Sequence, residues 1–283
     1  MNKFTRRTVI AAACAAAAMT FAPMSFAQQA PEKKDVTIAV GGKSLYYYLP
    51  LSIAEQLGYF KDEGLNVKIV DFQGGSRSLQ AVVGGSADVV SGAFEHTISM
   101  QAKKQPMTAF VLQGRAPQLA LVVSNKTMKD YKQLSDLKGK KVGVTAPGSS
   151  SQMVANFILK KGGLGPKDVA FIGVGSSSGA VSAIRSGQID ALINLDPVIT
   201  ILLKNGDAKL VADTRKVKES ESFFGGTMPA GCLYAPVSFV EKNPKTVQAL
   251  TNAIVRADDW LAKATPEEVA KVVPASYLMG NRG

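Results

Sequence analysis

The sequence predicts an α/β protein of two similar lobes, each a mainly parallel sheet flanked by helices, with a cleft between them. Three observations carry this. Strand-like and helix-like runs alternate along the chain from about residue 36, the pattern of helix-covered parallel sheets. Residues 72–90 are echoed 102 residues later by residues 174–192, so that Ser76 meets Ser178, Ala81 meets Ala183, Gly85 meets Gly187 and Asp88 meets Asp190. Each copy reads as strand end, Gly/Ser loop, short helix, Gly turn, Asp and next strand. Finally, Gly/Ser-rich loops follow the predicted strands, where open α/β sheets hold ligands. A cleft between two such lobes suits a small molecule.

The first residues stand apart from the fold. Lys3, Arg6 and Arg7 precede an uncharged, Ala-rich run broken by Pro23, and Ser25-Phe26-Ala27 is a small-x-small cleavage site. The run is too short and too weakly apolar for a bilayer span, so residues 1–27 are read as a cleaved export signal and the mature chain starts at Gln28. Thr5-Arg6-Arg7-Thr8 also fits a twin-arginine signal, leaving the export route open. Cys14 is read as a plain signal-peptide cysteine. Cys232, in an apolar run, is then the single mature cysteine and reads as a buried thiol, with no disulfide and no Cys metal site. Taking away Lys3, Arg6 and Arg7 lowers the net charge from +11 to +8. The basic residues are scattered, without aromatic interleaving or a nucleic-acid module, so no nucleic-acid partner is expected.

The elements follow in order. Val36–Val40 is a strand stopped by Gly41-Gly42. A helix runs from Leu49 to Leu57, and Leu65–Val70 alternates as a strand. After the first echo come a helix from Phe94 to Ala102 and strands at Met107–Leu112 and Leu119–Val123. The plan then repeats. Lys141–Thr145 is a strand, a helix ends near Lys161 at Gly162-Gly163, and Val169–Ile172 is a strand. The second echo leads to Ala191–Ile193 and to Asn194-Leu195-Asp196-Pro197, where Pro suits a helix start. Cys232–Tyr234 is a strand, and helices at residues 244–263 and 266–272 close the chain.

Four stretches resemble the periplasmic solute-binding proteins of ABC importers, in the branch for nitrate, sulfonate, taurine and thiamin-pyrimidine precursors. They are residues 51–65 (LSIAEQLGYFKDEGL), 84–88 (GGSAD), 136–144 (DLKGKKVGV) and Leu195-Asp196-Pro197. The resemblance covers residues 36–278, and its motifs mark helix ends and turns more than ligand contacts. It implies a periplasmic, exported protein, monomeric and without a cofactor, that closes on a small-molecule ligand and docks on a membrane permease and its ATPase. It also implies one lobe from residues 32–124 and 232–283 and a second from 125–231, joined by hinge strands near Leu119–Val123 and Met228–Tyr234. Relatives usually continue for several more helical elements beyond Leu278, so the packing of the C-terminal helices is the open part of that pattern. An enzyme is the competing class, since a eukaryotic relative on this fold makes the thiamin pyrimidine; its cysteine-rich signature is absent here. A sensor lobe that presents ligand to a membrane kinase is a further alternative.

The cleft chemistry is read from the loops. Ser149, Ser150 and Ser151, then Ser176 and Ser178, lie at predicted helix N-termini, where free N–H groups and the helix dipole favour anions. Capping is the bland account of any one of them; taken together, the loops are expected to face a ligand. Gly42, Gly75 and Ser76 form the matching loops of the first lobe. Phe94 and Glu95 follow one strand, and Asn194 and Asp196 follow its counterpart. The two carboxylates could accept hydrogen bonds from an amine or a pyrimidine, although Asp196 also suits a helix N-cap. Tyr46, Tyr47 and Tyr48 offer an aromatic wall, with at least one in the core. Arg77 reads as an exposed helical residue, Arg115 is left open, and His96, the single histidine, reads as a satisfied helix residue. The set predicts a small organic anion or zwitterion, sulfonate- or taurine-like, with nitrate and the thiamin-pyrimidine precursor as alternatives.

Overall fold

The computed structural model describes residues 30–278; the export-signal, twin-arginine and Cys14 readings lie outside the described residues. The first half alternates as expected: β1 (Asp35–Val40), α1 (Leu49–Gln56), α2 (Tyr59–Asp62), β2 (Asn66–Asp71), α3 (Gly75–Val83), β3 (Val89–Ala93), α4 (Glu95–Ala102) and β4 (Met107–Leu112). The chain then runs through β5 (Ala120–Ser124), β6 (Lys141–Val144), α5 (Ser150–Lys161), β7 (Ala170–Gly173), α6 (Ser178–Ser186), β8 (Ala191–Asn194), α7 (Val198–Lys204) and β9 (Ala208–Asp213). It ends with α8 (Val217–Phe224), β10 (Gly231–Pro236), α9 (Val237–Lys242), α10 (Pro244–Leu261) and α11 (Pro266–Val272).

Two five-stranded sheets result, in the orders β2-β1-β3-β10-β4 and β7-β6-β8-β5-β9. In each, four strands share a direction and one runs against them. The odd strands are β10, antiparallel to β3 and β4, and β5, antiparallel to β8 and β9. Their direction has a simple cause. Parallel strands end at the cleft, so a chain crossing from the other lobe enters the new sheet at that end and runs away from it. β5, placed with the first lobe by the boundary at residue 124, therefore pairs in the second sheet. The two crossings lie side by side: Thr214 N–H donates to the Leu119 carbonyl (2.8 Å), Gln118 N–H to that of Thr214 (3.1 Å) and Ala230 N–H to that of Gly114 (3.2 Å).

The echo has a structural cause. Asp88 and Thr37 exchange two bonds, N–H to carbonyl at 2.9 Å and Thr37 N–H to the Asp88 carboxylate at 2.9 Å. Asp190 and Lys141 repeat them at 2.8 and 3.0 Å. Gly85 and Gly187 both turn in the left-handed region, with φ of +77° and +81°, where glycine is favoured. Each lobe thus docks the start of its third strand on its first by the same device. Helix α10 covers the first sheet with Thr246, Ala249, Leu250, Ala253, Ile254 and Ala257, spaced by three and four residues, all buried. A fully buried leucine or isoleucine of this kind contributes about 1.5–3 kcal/mol.

Candidate ligand-binding site

The lobes meet loop against loop, and glycine lets them. A Cβ at Gly74 would lie 2.8 Å from the Ala146 Cβ and 3.1 Å from the Ser149 Oγ, and one at Gly42 (φ +102°) would overlap the Ser176 hydroxyl. Ser76 N–H donates to the Ser149 Oγ (3.0 Å), the Ser149 hydroxyl donates to the Ser76 Oγ (3.1 Å), and the Ser76 hydroxyl donates to the Pro147 carbonyl (2.9 Å). Tyr46 N–H donates to the Asp196 carbonyl at 3.0 Å. Ser149 occupies the N-cap position of α5, yet its side chain makes no cap bond. Its hydroxyl serves the other lobe instead.

Several residues expected in the cleft spend their side chains elsewhere. The buried Ser151 accepts from Thr145 N–H and bonds its hydroxyl (3.1 and 2.9 Å), tying α5 to the end of β6. Asn194 donates to the Gly175 carbonyl (3.0 Å) and accepts from Leu195 N–H (2.9 Å), which fixes the loop after β7. Asp196 accepts from Thr200 N–H and hydroxyl (2.9 and 2.7 Å) at the first turn of α7 and pairs with Arg215 at 3.3 Å. Ser178 opens α6 and is exposed, and Ser150 opens α5 half-buried. Gly75 is packed over the His96 ring, and Phe94 is partly buried with its carbonyl accepting from Thr97. Tyr46 stacks on Tyr277, while Tyr47 and Tyr48 are buried. Arg77 and Arg115 are exposed.

Among the described residues, buried side-chain atoms without a hydrogen-bond partner occur on Asn156, Glu219 and Ser220, and on four residues of the first lobe. Both carboxylate oxygens of Glu95, the Tyr47 hydroxyl, the His96 Nε2 and the Gln113 Nε2 are buried without a hydrogen-bond partner. The four residues are between 2% and 8% exposed. An unpaired buried polar group costs about 1–3 kcal/mol, more for a charge, so these four residues are candidates for contact with a ligand. The backbone explains the gathering. Glu95 follows the end of β3, and Gly231 opens β10 opposite Ala93. The Tyr47 ring lies over Gly231, 3.4 Å from where a Cβ would stand, and Gln113 N–H donates to the Gly231 carbonyl (2.6 Å).

Burial pushes the Glu95 carboxyl up to about 7. Burial, and then the neighbouring Glu95, hold the Tyr47 hydroxyl well above its usual range. His96 is pushed down to about 4, chiefly by burial, with the Gly148 backbone in the other lobe acting the opposite way; its Nδ1 meets the Tyr234 hydroxyl at 3.1 Å. His96 was expected to be a satisfied helix residue; one of its two ring nitrogens is not. Cys232 is buried beside Glu95, its thiol pushed up to about 12, and is unreactive. Among the described residues no group of three or more His, Cys, Asp or Glu could hold a metal ion. Nor is any described helix long and apolar enough to cross a membrane. Gln113 and His96 are the groups the sequence reading left out of the site; a Gln ending the apolar run of β4 was the available signal.

Comparison with known proteins agrees with this architecture. The family model described as NMT1/THI5 like matches residues 46–269. A solved protein of Bordetella bronchiseptica RB50 superposes with a TM-score of 0.88 at 63% identity, covering 89% of this chain and 80% of that one. The alkanesulfonate-binding protein SsuA of Xanthomonas axonopodis pv. citri, bound to MOPS, shares the fold at a TM-score of 0.67 and 22% identity, over 87% of this chain and 82% of that one. The 4-amino-5-hydroxymethyl-2-methylpyrimidine phosphate synthase of Aspergillus parasiticus is 25% identical over 256 residues, 87% of this chain and 72% of the synthase.

Proposed function

The chain belongs to the NMT1/THI5-like family, and on that premise we propose that it is an exported solute-binding protein of an ABC importer, not an enzyme. It captures a small solute bearing an N–H donor, a zwitterion such as taurine or an aminopyrimidine, and delivers it as a monomer to a membrane permease driven by an ATPase. The observation that carries this is Glu95, a buried carboxylate with both oxygens unpartnered. A carboxylate in that state attracts a cation or an N–H donor and repels a simple anion. The serine loops, which suggested an anion, are engaged with one another across the closed cleft. They serve here as the clasp, and residues 113–119 and 214–230 as the hinge. Ligand entry would shift an open–closed equilibrium toward the closed form. The synthase chemistry of the fungal relatives is not carried over, because the cysteine-rich signature is missing and Cys232 is buried and inert.

The test is a thermal-shift screen of the chain from Gln28 against taurine, alkanesulfonates, nitrate, small carboxylates and aminopyrimidines, repeated on Glu95→Gln and Asp196→Asn. Useful capture implies a Kd of about 1 μM or tighter, near −8 kcal/mol. Ligand at 100 times Kd then stabilises by about 2.7 kcal/mol. A saturable shift with an N–H-bearing solute, lost in Glu95→Gln and kept in Asp196→Asn, is expected. No shift with any solute in the panel would overturn the proposal.

A further inference from the structure

Gln113 sits where the first sheet hands the chain to the second lobe. Its amide oxygen accepts from the Ser91 hydroxyl at 2.9 Å, inside a wholly buried pair. Ser91 lies on β3 opposite Leu233, and Gly231 lies opposite Ala93. β10 therefore separates Gln113 from Ser91, and the amide crosses it to make this bond. With its oxygen held there, the amide nitrogen has a fixed direction and is left buried and unpartnered. The Tyr47 ring lies over the same strand end, 3.4 Å from where a Gly231 Cβ would stand, and after burial the neighbouring Glu95 helps hold its hydroxyl above the usual range. Gln113, whose backbone N–H donates to the Gly231 carbonyl, and Glu95, two residues past the Ala93 that Gly231 faces, therefore lie at the same end of this sheet: Gln113 offers an unpaired amide N–H and Glu95 unpaired carboxylate oxygens.

We infer that Gln113 is a specificity-determining residue, held by Ser91, which demands a hydrogen-bond acceptor on the solute beside the N–H group that Glu95 takes. This deepens the solute-binding reading and rests on it. A site with a buried donor rejects a solute that lacks the matching acceptor, because the donor then stays unpaired. Ser91 acts through Gln113 and is a positioning residue; freeing the amide to rotate weakens the preference without removing any group that touches solute.

The experiment compares probes that differ in the acceptor: taurine against propylamine, and 4-aminopyrimidine against aniline, titrated by calorimetry into wild type, Gln113→Leu, Ser91→Ala and Glu95→Gln. The wild type is expected to prefer the acceptor-bearing member of at least one pair by about tenfold or more. Gln113→Leu should bring that ratio close to one. Ser91→Ala, the milder change if Gln113→Leu folds poorly, should narrow it by several-fold. Glu95→Gln should weaken both members alike. A ratio unchanged in both Gln113→Leu and Ser91→Ala overturns the inference and leaves the solute-binding reading standing. Binding of amine-free sulfonates or nitrate in place of either amine pair does the same. Failure of the wild type to bind any solute in either screen removes both.

Discussion

Glu95 and Asp196 stand one residue off equivalence in the 102-residue register of the two lobes, and their fates are opposite. Asp196 accepts two bonds from Thr200 on one oxygen and pairs with Arg215 through the other, so both of its oxygens already have partners. Glu95 is buried and has no partner on either oxygen. The repeated parts of the lobes tell the reverse story. Asp88 and Asp190 make the same two bonds at nearly the same distances. What was duplicated is the scaffold; what differs is the pair of carboxylates beside the cleft. The symmetry of the scaffold does not extend to these two carboxylates.

The strongest way to break that contrast is a pH series on Glu95→Gln. The folded carboxyl, raised to about 7 from its ordinary 4.5, holds its proton more tightly than in the unfolded chain. Its contribution to stability is therefore full below pH 4.5 and lost as pH rises toward 7. Relative to wild type, Glu95→Gln should match at pH 4 and gain up to about 3 kcal/mol at pH 8, read by urea unfolding. Taking the difference cancels Asp258, whose carboxyl is also raised to about 7, by half-burial and then by Asp259. In the variant, His96 governs more of the slope. Because it is pushed down to about 4, its contribution is present above pH 6.5 and lost as pH falls toward 4. No gain at pH 8 would mean Glu95 is satisfied in solution and the contrast with Asp196 is false.

A smaller effect sharpens the opposite half of the comparison. Asp88→Ala and Asp190→Ala each leave one backbone N–H unpaired and should cost about 1–2 kcal/mol. Asp88 also pairs with Lys33 at 3.2 Å, so its cost should exceed that of Asp190 by no more than about 1 kcal/mol; a larger gap, or one of opposite sign, would show that the shared backbone bonds are not energetically symmetric. Smallest is Ser149→Ala. It removes the cross-lobe bonds to Ser76 but no side-chain hydrogen bond within its own lobe. Ligand affinity should fall about two- to fivefold, with the unliganded melting temperature within about 2 °C of wild type.

The fold was largely legible because its signals are local. Alternating strands, Gly stops and a Pro-started α10 and α11 all declare themselves within a few residues. α2, β9, α8 and α9 were not read. α8 (VKESESFF) buries only Ser220 in full, so it shows no clear apolar stripe to find. The site was less legible for a physical reason. Whether Ser151, Asn194 or Asp196 faces a ligand depends on which backbone group lies within 3 Å, and Thr145, Gly175 and Thr200 claim them first. Glu95 was named from its place after a strand, but its isolation could not be seen. Gln113 is held by Ser91, on a strand that β10 separates from its own, a contact no local pattern shows.

The crossing strands also set an order of assembly. β10 fills the slot between β3 and β4, yet it is made after the whole second lobe. Until residue 236 is available, β3 and β4 each keep an unpaired edge, the kind of surface that recruits other chains. An amino-terminal fragment that stops before Gly231 would thus be an unfinished sheet prone to self-association, not half a working protein. The late strand makes completion of the first lobe conditional on synthesis of the second.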